Sequence, residues 1–142
     1  MSTGPTPPSH GVLGLDHLVL RTSSVEGLLD FYAGKLGLGV ERYEAWKAGE
    51  VPFPSVRINA TTIIDLLEVP PGAVGPPGAG ALEHLCLVVT PELLAAVTTR
   101  TPPFDTVTVV DGPGVRWGAQ GDAVSVYVPD PDGNVVELRC YR

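Results

Sequence analysis

Four side chains of this 142-residue chain have the types and the spacing to do chemistry together: His17, Asp65, His84 and Glu137. His17 is the third residue of LDHLVL and His84 the third of LEHLCLVV, while Asp65 is third in IIDLLE and Glu137 third in VVELR. A single histidine in an apolar run is more often a hydrogen-bonded core residue than a ligand. Here a histidine and a carboxylate recur at matched places in the two halves of the chain, and that repetition reverses the expectation. Two neutral imidazoles and a carboxylate form a donor set for a divalent transition metal that leaves positions open for substrate. A carboxylate on a strand face needs such a partner, because burying it alone is costly.

The elements that must position these groups are legible from alternation. The segment 125–141, SVYVPDPDGNVVELRCY, reads as a β-hairpin: two alternating apolar runs flank a Pro, Asp, Gly and Asn cluster in which Gly133 and Asn134 tolerate a tight reversal. On its second strand Val136, Leu138 and Cys140 point to the core, and Val135, Glu137, Arg139 and Tyr141 to the opposite, concave face. Asp130 and Asp132 belong to the turn, where their side chains accept backbone hydrogen bonds.

From the N-terminus, residues 1–13 form a Ser, Thr, Pro and Gly tail too poor in apolar groups to order itself, so His10 is a solvated residue. A first strand covers 15–21. Ser23 to Glu26 has the form of a capping box, opening a helix that Gly37 ends. Three β-prone runs follow at 40–46, 55–59 and 62–69, with Glu68 as a strand-end surface charge. The stretch 70–80, PPGAVGPPGAG, has linker composition. After it the order repeats: a strand at 82–89, a helix capped by Thr90 with Pro91 at its first position and stopped by Pro102 and Pro103, then strands at 106–110, 123–128 and 135–141. Residues 112–121 read as a looser connection or an irregular extension of the first of these three strands. Each half is β-α-β-β-β, which makes module one 14–69 and module two 81–142 of a single α+β domain.

Composition bounds the function. A hydrophobic content of 44% with 18% charged residues is globular, and a net charge of −7 argues against nucleic acid and anionic membrane surfaces, which select basic faces. No run approaches the length of a membrane span and no leader is visible, so the expected location is the cytoplasm. Two cysteines, Cys86 and Cys140, make no disulfide framework and read as buried thiols.

LDHLVL, the FY-x-x-x-LGL of 31–38, EHLCLVV and VYVPDPDGNVVELR together resemble the vicinal oxygen chelate superfamily, which includes glyoxalase I, extradiol dioxygenases and the fosfomycin and bleomycin resistance proteins. The resemblance spans about 15–141, and small glyoxalase-like proteins look nearest. It implies two βαβββ modules whose strands form an open, partly closed mixed β barrel, with a metal on the concave side. It also implies that His17, His84 and Glu137 are metal ligands for Zn, Ni, Co, Fe or Mn. Asp65 departs from the glutamate of glyoxalase I and is shorter by one methylene, so the alternatives for it are a direct ligand, a ligand through a water, a base or a group that orients a histidine.

The expected activity is that of a metal-dependent lyase or isomerase on a small substrate that chelates through adjacent oxygens, with Asp65 or a displaced Glu137 moving the proton. An extradiol-type dioxygenase and a metal-free drug-binding protein are the alternatives. Tyr43, Trp46, Trp117 and Tyr127 are candidate pocket walls, and Arg57, Arg116 and Arg139 candidate anchors for a substrate anion, with surface placement as their default. An open half-barrel exposes sheet edges, which argues for a homodimer.

Overall fold

In the computed structural model, which describes residues 11, 15–76, 82–118 and 120–141, the two halves fold as two mixed sheets of four strands each. The first has the order β1-β4-β3-β2, from β1 (His17–Thr22), β2 (Gly39–Glu41), β3 (Ser55–Asn59) and β4 (Thr62–Glu68). The second has the order β5-β8-β7-β6, from β5 (Leu85–Val88), β6 (Asp111–Gly118), β7 (Gly121–Pro129) and β8 (Val135–Cys140). In each sheet the first strand of the module runs parallel to the last, β1 with β4 and β5 with β8, and the other pairings are antiparallel. The α+β duplication is as the sequence predicts. Among the described residues no strand pairing joins the two sheets, so no closed barrel forms. His10 and positions 77–80 of the linker lie outside the described residues.

Alternation sends one face of each sheet into a shared core. Leu20, Ile64 and Leu66 of the first sheet, and Val126, Val128, Val136 and Leu138 of the second, are buried with Val25, Leu28, Phe31 and Tyr32. Several local expectations are corrected. The first helix is α1 (Val25–Leu29), continued by a π-helical turn over Asp30–Lys35. Its N-cap is Ser24, not Ser23: the extended Ser24 backbone aims its Oγ at the Gly27 N–H, 3.0 Å away. Glu68 is no idle surface charge, since its carboxylate accepts from the Val25 N–H at 3.0 Å and supports the same helix start.

The strand expected over 40–46 stops at Glu41, because Arg42 adopts a left-handed backbone (φ 66°) that turns the chain into α2 (Tyr43–Lys47). In module two, α3 (Pro91–Thr98) has the expected cap, with Thr90 Oγ1 accepting from Leu93 N. The strand expected over 106–110 is instead a 3-10 turn at Phe104–Thr106 followed by irregular chain, in which Phe104 and Val107 are buried as core plugs. Most of the stretch 112–121, which reads as a looser connection or an irregular extension of a strand, belongs to the long strand β6 (Asp111–Gly118); Pro113, which has no N–H to donate, lies in the irregularity between Asp111 and Gly114. Cys140 is buried as expected, Cys86 is exposed, and neither is in a disulfide. The exposure of Cys86 follows from register: it pairs with Glu137 on the face turned away from the core.

The two modules meet at a buried hydrogen bond. The Tyr32 hydroxyl, on the π-helical turn of module one, donates to Asp130 Oδ2 of module two at 2.8 Å. The other acceptor positions of Asp130 take the backbone N–H groups of Asp132 and Asn134 and the Asn134 side chain. This is the turn role assigned to Asp130 from sequence, extended across the module boundary.

Candidate functional site

Strand register places each histidine beside its carboxylate in the same way in both modules. Val19 pairs with Asp65 across β1 and β4, and Cys86 pairs with Glu137 across β5 and β8. His17, at the start of β1, and His84, just before β5, each lie two residues ahead of the paired position, and each projects to the side of its acid. His84 Nε2 is 3.2 Å from Glu137 Oε1, and His17 Nε2 is 3.9 Å from Asp65 Oδ2. The wider gap in module one has the sense expected of the shorter aspartate.

Both histidines are backed by the acid that precedes them. His17 Nδ1 lies 2.8 Å from Asp16 Oδ2, and His84 Nδ1 contacts Glu83 Oε1. A carboxylate on one ring nitrogen fixes the tautomer and leaves the lone pair of Nε2 facing the site, the arrangement found behind metal-bound histidines. The Asp16 contact also lifts the His17 pKa above its ordinary value, against a smaller opposing effect of burial. Sequence reasoning passed over Asp16 and Glu83, although the signal was present: an acid directly before the histidine in both modules.

The carboxylates are held from behind by residues the sequence reading also missed. Ser55, paired with Asp65 across β3 and β4, donates its hydroxyl to Asp65 Oδ1 at 2.6 Å. Ser125 on β7 donates to Glu137 Oε2 at 2.6 Å, and Arg139 Nη1 donates to the same oxygen at 2.8 Å. Asp65 and Glu137 are only 6% and 5% exposed, whereas the histidine side chains are 47% and 36% exposed. Burial tends to raise the Glu137 pKa, but hydrogen bonds from Ser125, Tyr127 and Arg139 outweigh it and hold the carboxyl below its usual range. Each pair therefore sets one imidazole nitrogen beside one carboxylate oxygen, which are donor types a divalent ion accepts, but two donors do not by themselves complete a metal site.

The pairs remain apart within one chain. His17 and Asp65 stand on the first sheet, His84 and Glu137 at the second, and among the described residues no three histidine, cysteine or carboxylate side chains gather closely enough to hold a metal ion.

The other candidates separate cleanly. Tyr127 belongs to the site, with its ring edge-on to His84 at 5.6 Å. Tyr43 and Trp46 pack on each other in α2, and Trp117 is exposed on the outer side of β6. Arg57 is bound to Glu41 and to the carbonyls of Asn59 and Ala60, and Arg116 to Asp111, so both are engaged within the chain. Arg139, expected at the surface, is buried. Cys86 lies near Glu137 and Arg139; although the residue as a whole is exposed, its thiol is partly screened from water, and this desolvation first and the Glu137 charge second push it up to about 11, which leaves it a poor nucleophile.

Comparison with known proteins agrees with this architecture. The model of the Glyoxalase/Bleomycin resistance protein/Dioxygenase superfamily matches residues 14–138. A glyoxalase domain-containing protein of Mycosarcoma maydis is 35% identical over 132 residues, covering 92% of this chain and 70% of that protein. A virulence protein of Salmonella typhimurium is 29% identical over 127 residues, 89% of this chain and 83% of its own. Its crystal structure matches with a TM-score of 0.67 at 26% identity, over 92% of this chain and 98% of that one. An antibiotic-binding protein from a Streptomyces species shares the fold with a TM-score of 0.60 at 21% identity, over 92% and 98%. With the match running from before the strand that carries His17 into the strand that carries Glu137, the chain belongs to the glyoxalase/bleomycin resistance protein/dioxygenase superfamily.

Proposed function

We propose that this protein is a metal-dependent enzyme of lyase or isomerase type, acting on a small substrate that presents two adjacent oxygens. The observation that carries the reading is the duplicated triplet of acid, histidine and buried carboxylate: Asp16, His17 and Asp65 in one module, Glu83, His84 and Glu137 in the other. The fold by itself selects no activity, since a Streptomyces antibiotic-binding protein shares it. A binder of drugs needs no pair of histidines with backed Nδ1 atoms. Because the two pairs of one chain stay separate, we place the complete site between two copies, with His17 and Asp65 of one meeting His84 and Glu137 of the other.

A divalent ion held there supplies a Lewis acid for negative charge developing on the substrate oxygens. The two carboxylates then divide the remaining work. Glu137 is paired with the Arg139 guanidinium, whose positive charge lowers the basicity of the carboxylate and suits it to steady ligation. Asp65 has a hydroxyl from Ser55 and, among the described residues, no lysine or arginine partner. Asp65 is accordingly the residue that takes a proton from the substrate and returns it, with Ser55 keeping Oδ1 fixed and Oδ2 facing the site.

The test is elemental analysis of protein purified without an affinity tag, followed by reconstitution with zinc, nickel, cobalt, iron and manganese. One ion per His17, Asp65, His84 and Glu137 set is expected, with a sharp loss in His84→Ala. Wild-type protein that takes up none of the five ions would overturn the reading.

A further inference from the structure

Arg139 has no counterpart in module one: the residue two places beyond Asp65 is Leu67, whereas the residue two places beyond Glu137 is this arginine. It is 3% exposed, and its guanidinium is held on three sides. Nη1 donates to Glu137 Oε2 at 2.8 Å and lies 3.3 Å from Ser125 Oγ. Nη2 donates to the carbonyls of Arg116 at 2.9 Å and Gly121 at 3.0 Å, at the end of the β6–β7 hairpin. The Tyr141 ring lies under the cation, 4.8 Å from Cζ to its centroid, and Tyr141 also accepts from the Gln120 N–H at 3.1 Å. Among the described residues Nε has no hydrogen-bond partner, and the hydrogen bonds that set the position of the side chain run from the two Nη groups.

Two donors converge on Oε2 and leave Oε1 as the oxygen facing His84. We infer that Arg139 is the positioning residue that presents Glu137 to the metal through one oxygen, and that the β6–β7 hairpin reaches the site through this arginine. The inference rests on the metal reading above. The hairpin is built to admit the guanidinium: a Cβ added at Gly118 would come within 2.5 Å of Arg139 Cζ, 2.7 Å of Nη2 and 2.8 Å of the Tyr141 hydroxyl. A methyl group there must push the arginine from its place, although Gly118 is not itself a ligand.

The experiment measures Co²⁺ binding to the full-length protein by titration against a competing chelator, with the visible absorption of the bound cobalt recorded in parallel. Wild type is compared with Arg139→Met, Arg139→Lys and Gly118→Ala, and each protein is first checked for cooperative melting. Arg139→Met and Gly118→Ala are expected to weaken cobalt binding by about 10 to 100-fold, the loss typical of removing a group that orients a ligand. Their cobalt absorption should also change in band position and intensity as Glu137 shifts its coordination. Arg139→Lys, which keeps a donor for Oε2 but loses the planar fork, should fall between. If Arg139→Met fails to fold, the lysine and Gly118→Ala variants decide the matter, because neither leaves Glu137 without a cation nearby. A structural role alone would lower melting temperature with no change in affinity or spectrum, and that result would overturn the inference while leaving the metal reading intact. Wild-type protein that binds no cobalt would overturn both.

Discussion

Replacing Tyr32 with phenylalanine removes one oxygen atom from the join between the two modules. The ring would remain, still buried and still edge-on to Phe31 at 4.9 Å, so the variant isolates the hydrogen bond to Asp130. Burial first, and then the Asp130 charge, push the Tyr32 hydroxyl far above its ordinary pKa, so it is a donor throughout the working range. A hydrogen bond to a charged group contributes about 1.5–3 kcal/mol. Asp130 would keep three other donors, from Asp132 N, Asn134 N and Asn134 Nδ2, and is not left bare. The loss should therefore fall near the lower end, about 1.5–2 kcal/mol, which for a chain of this size lowers the melting midpoint by roughly 4–8 °C. The assay is urea unfolding of metal-free protein at neutral pH, with an unchanged denaturant slope showing that the folded state keeps its compactness.

The effect should also depend on pH. Burial raises the Asp130 pKa above its unfolded value, so the folded state binds this proton more tightly and the contribution of Asp130 to stability is lost as pH rises through the raised value. Tyr32 offsets that loss by stabilising the charged form. The difference between wild type and Tyr32→Phe must then be largest above the raised pKa and shrink toward acid, where a protonated Asp130 makes only a neutral hydrogen bond. A difference below about 0.5 kcal/mol at pH 7, within the range of ordinary surface substitutions, would refute the reasoning.

Asp65→Asn keeps the shape and the acceptor for Ser55 but removes the proton carrier, so turnover should fall about 10²–10⁴-fold while metal content is retained. Undiminished activity, or an absolute requirement for oxygen, would instead favour a dioxygenase. Glu68→Ala removes the carboxylate that accepts from Val25 N and should cost about 0.5–2 kcal/mol in chemical denaturation, although residue 68 is exposed and far from Val25 in sequence. Thr90→Ala should cost about 1 kcal/mol by the same logic at the start of α3; no change in either variant would mean that water replaces the cap. Light scattering at micromolar concentration should give the mass of a dimer, and a stable monomer would contradict a site shared between copies.

The duplicated β-α-β-β-β order, the inward set Val136, Leu138 and Cys140, and the matched places of His17, Asp65, His84 and Glu137 were legible in the chain alone. Each rests on local periodicity and on comparison of one half with the other, and alternation along a strand survives whatever the strand packs against. The capped start of α3 was legible for the same reason, since Thr90 and Leu93 N are three residues apart. Tertiary structure decided what holds the acids in place. Ser55 reaches Asp65, and Ser125 and Arg139 reach Glu137, across strands whose register no single run of residues encodes. It also decided that Tyr32 joins Asp130, that Glu68 serves the helix at Val25, and that the two histidine pairs of one chain do not converge. A polar side chain finds its partner through space, and the register between strands is set by the sum of core contacts on the opposite face, so the chemistry of the site was visible in the residues while its wiring was not.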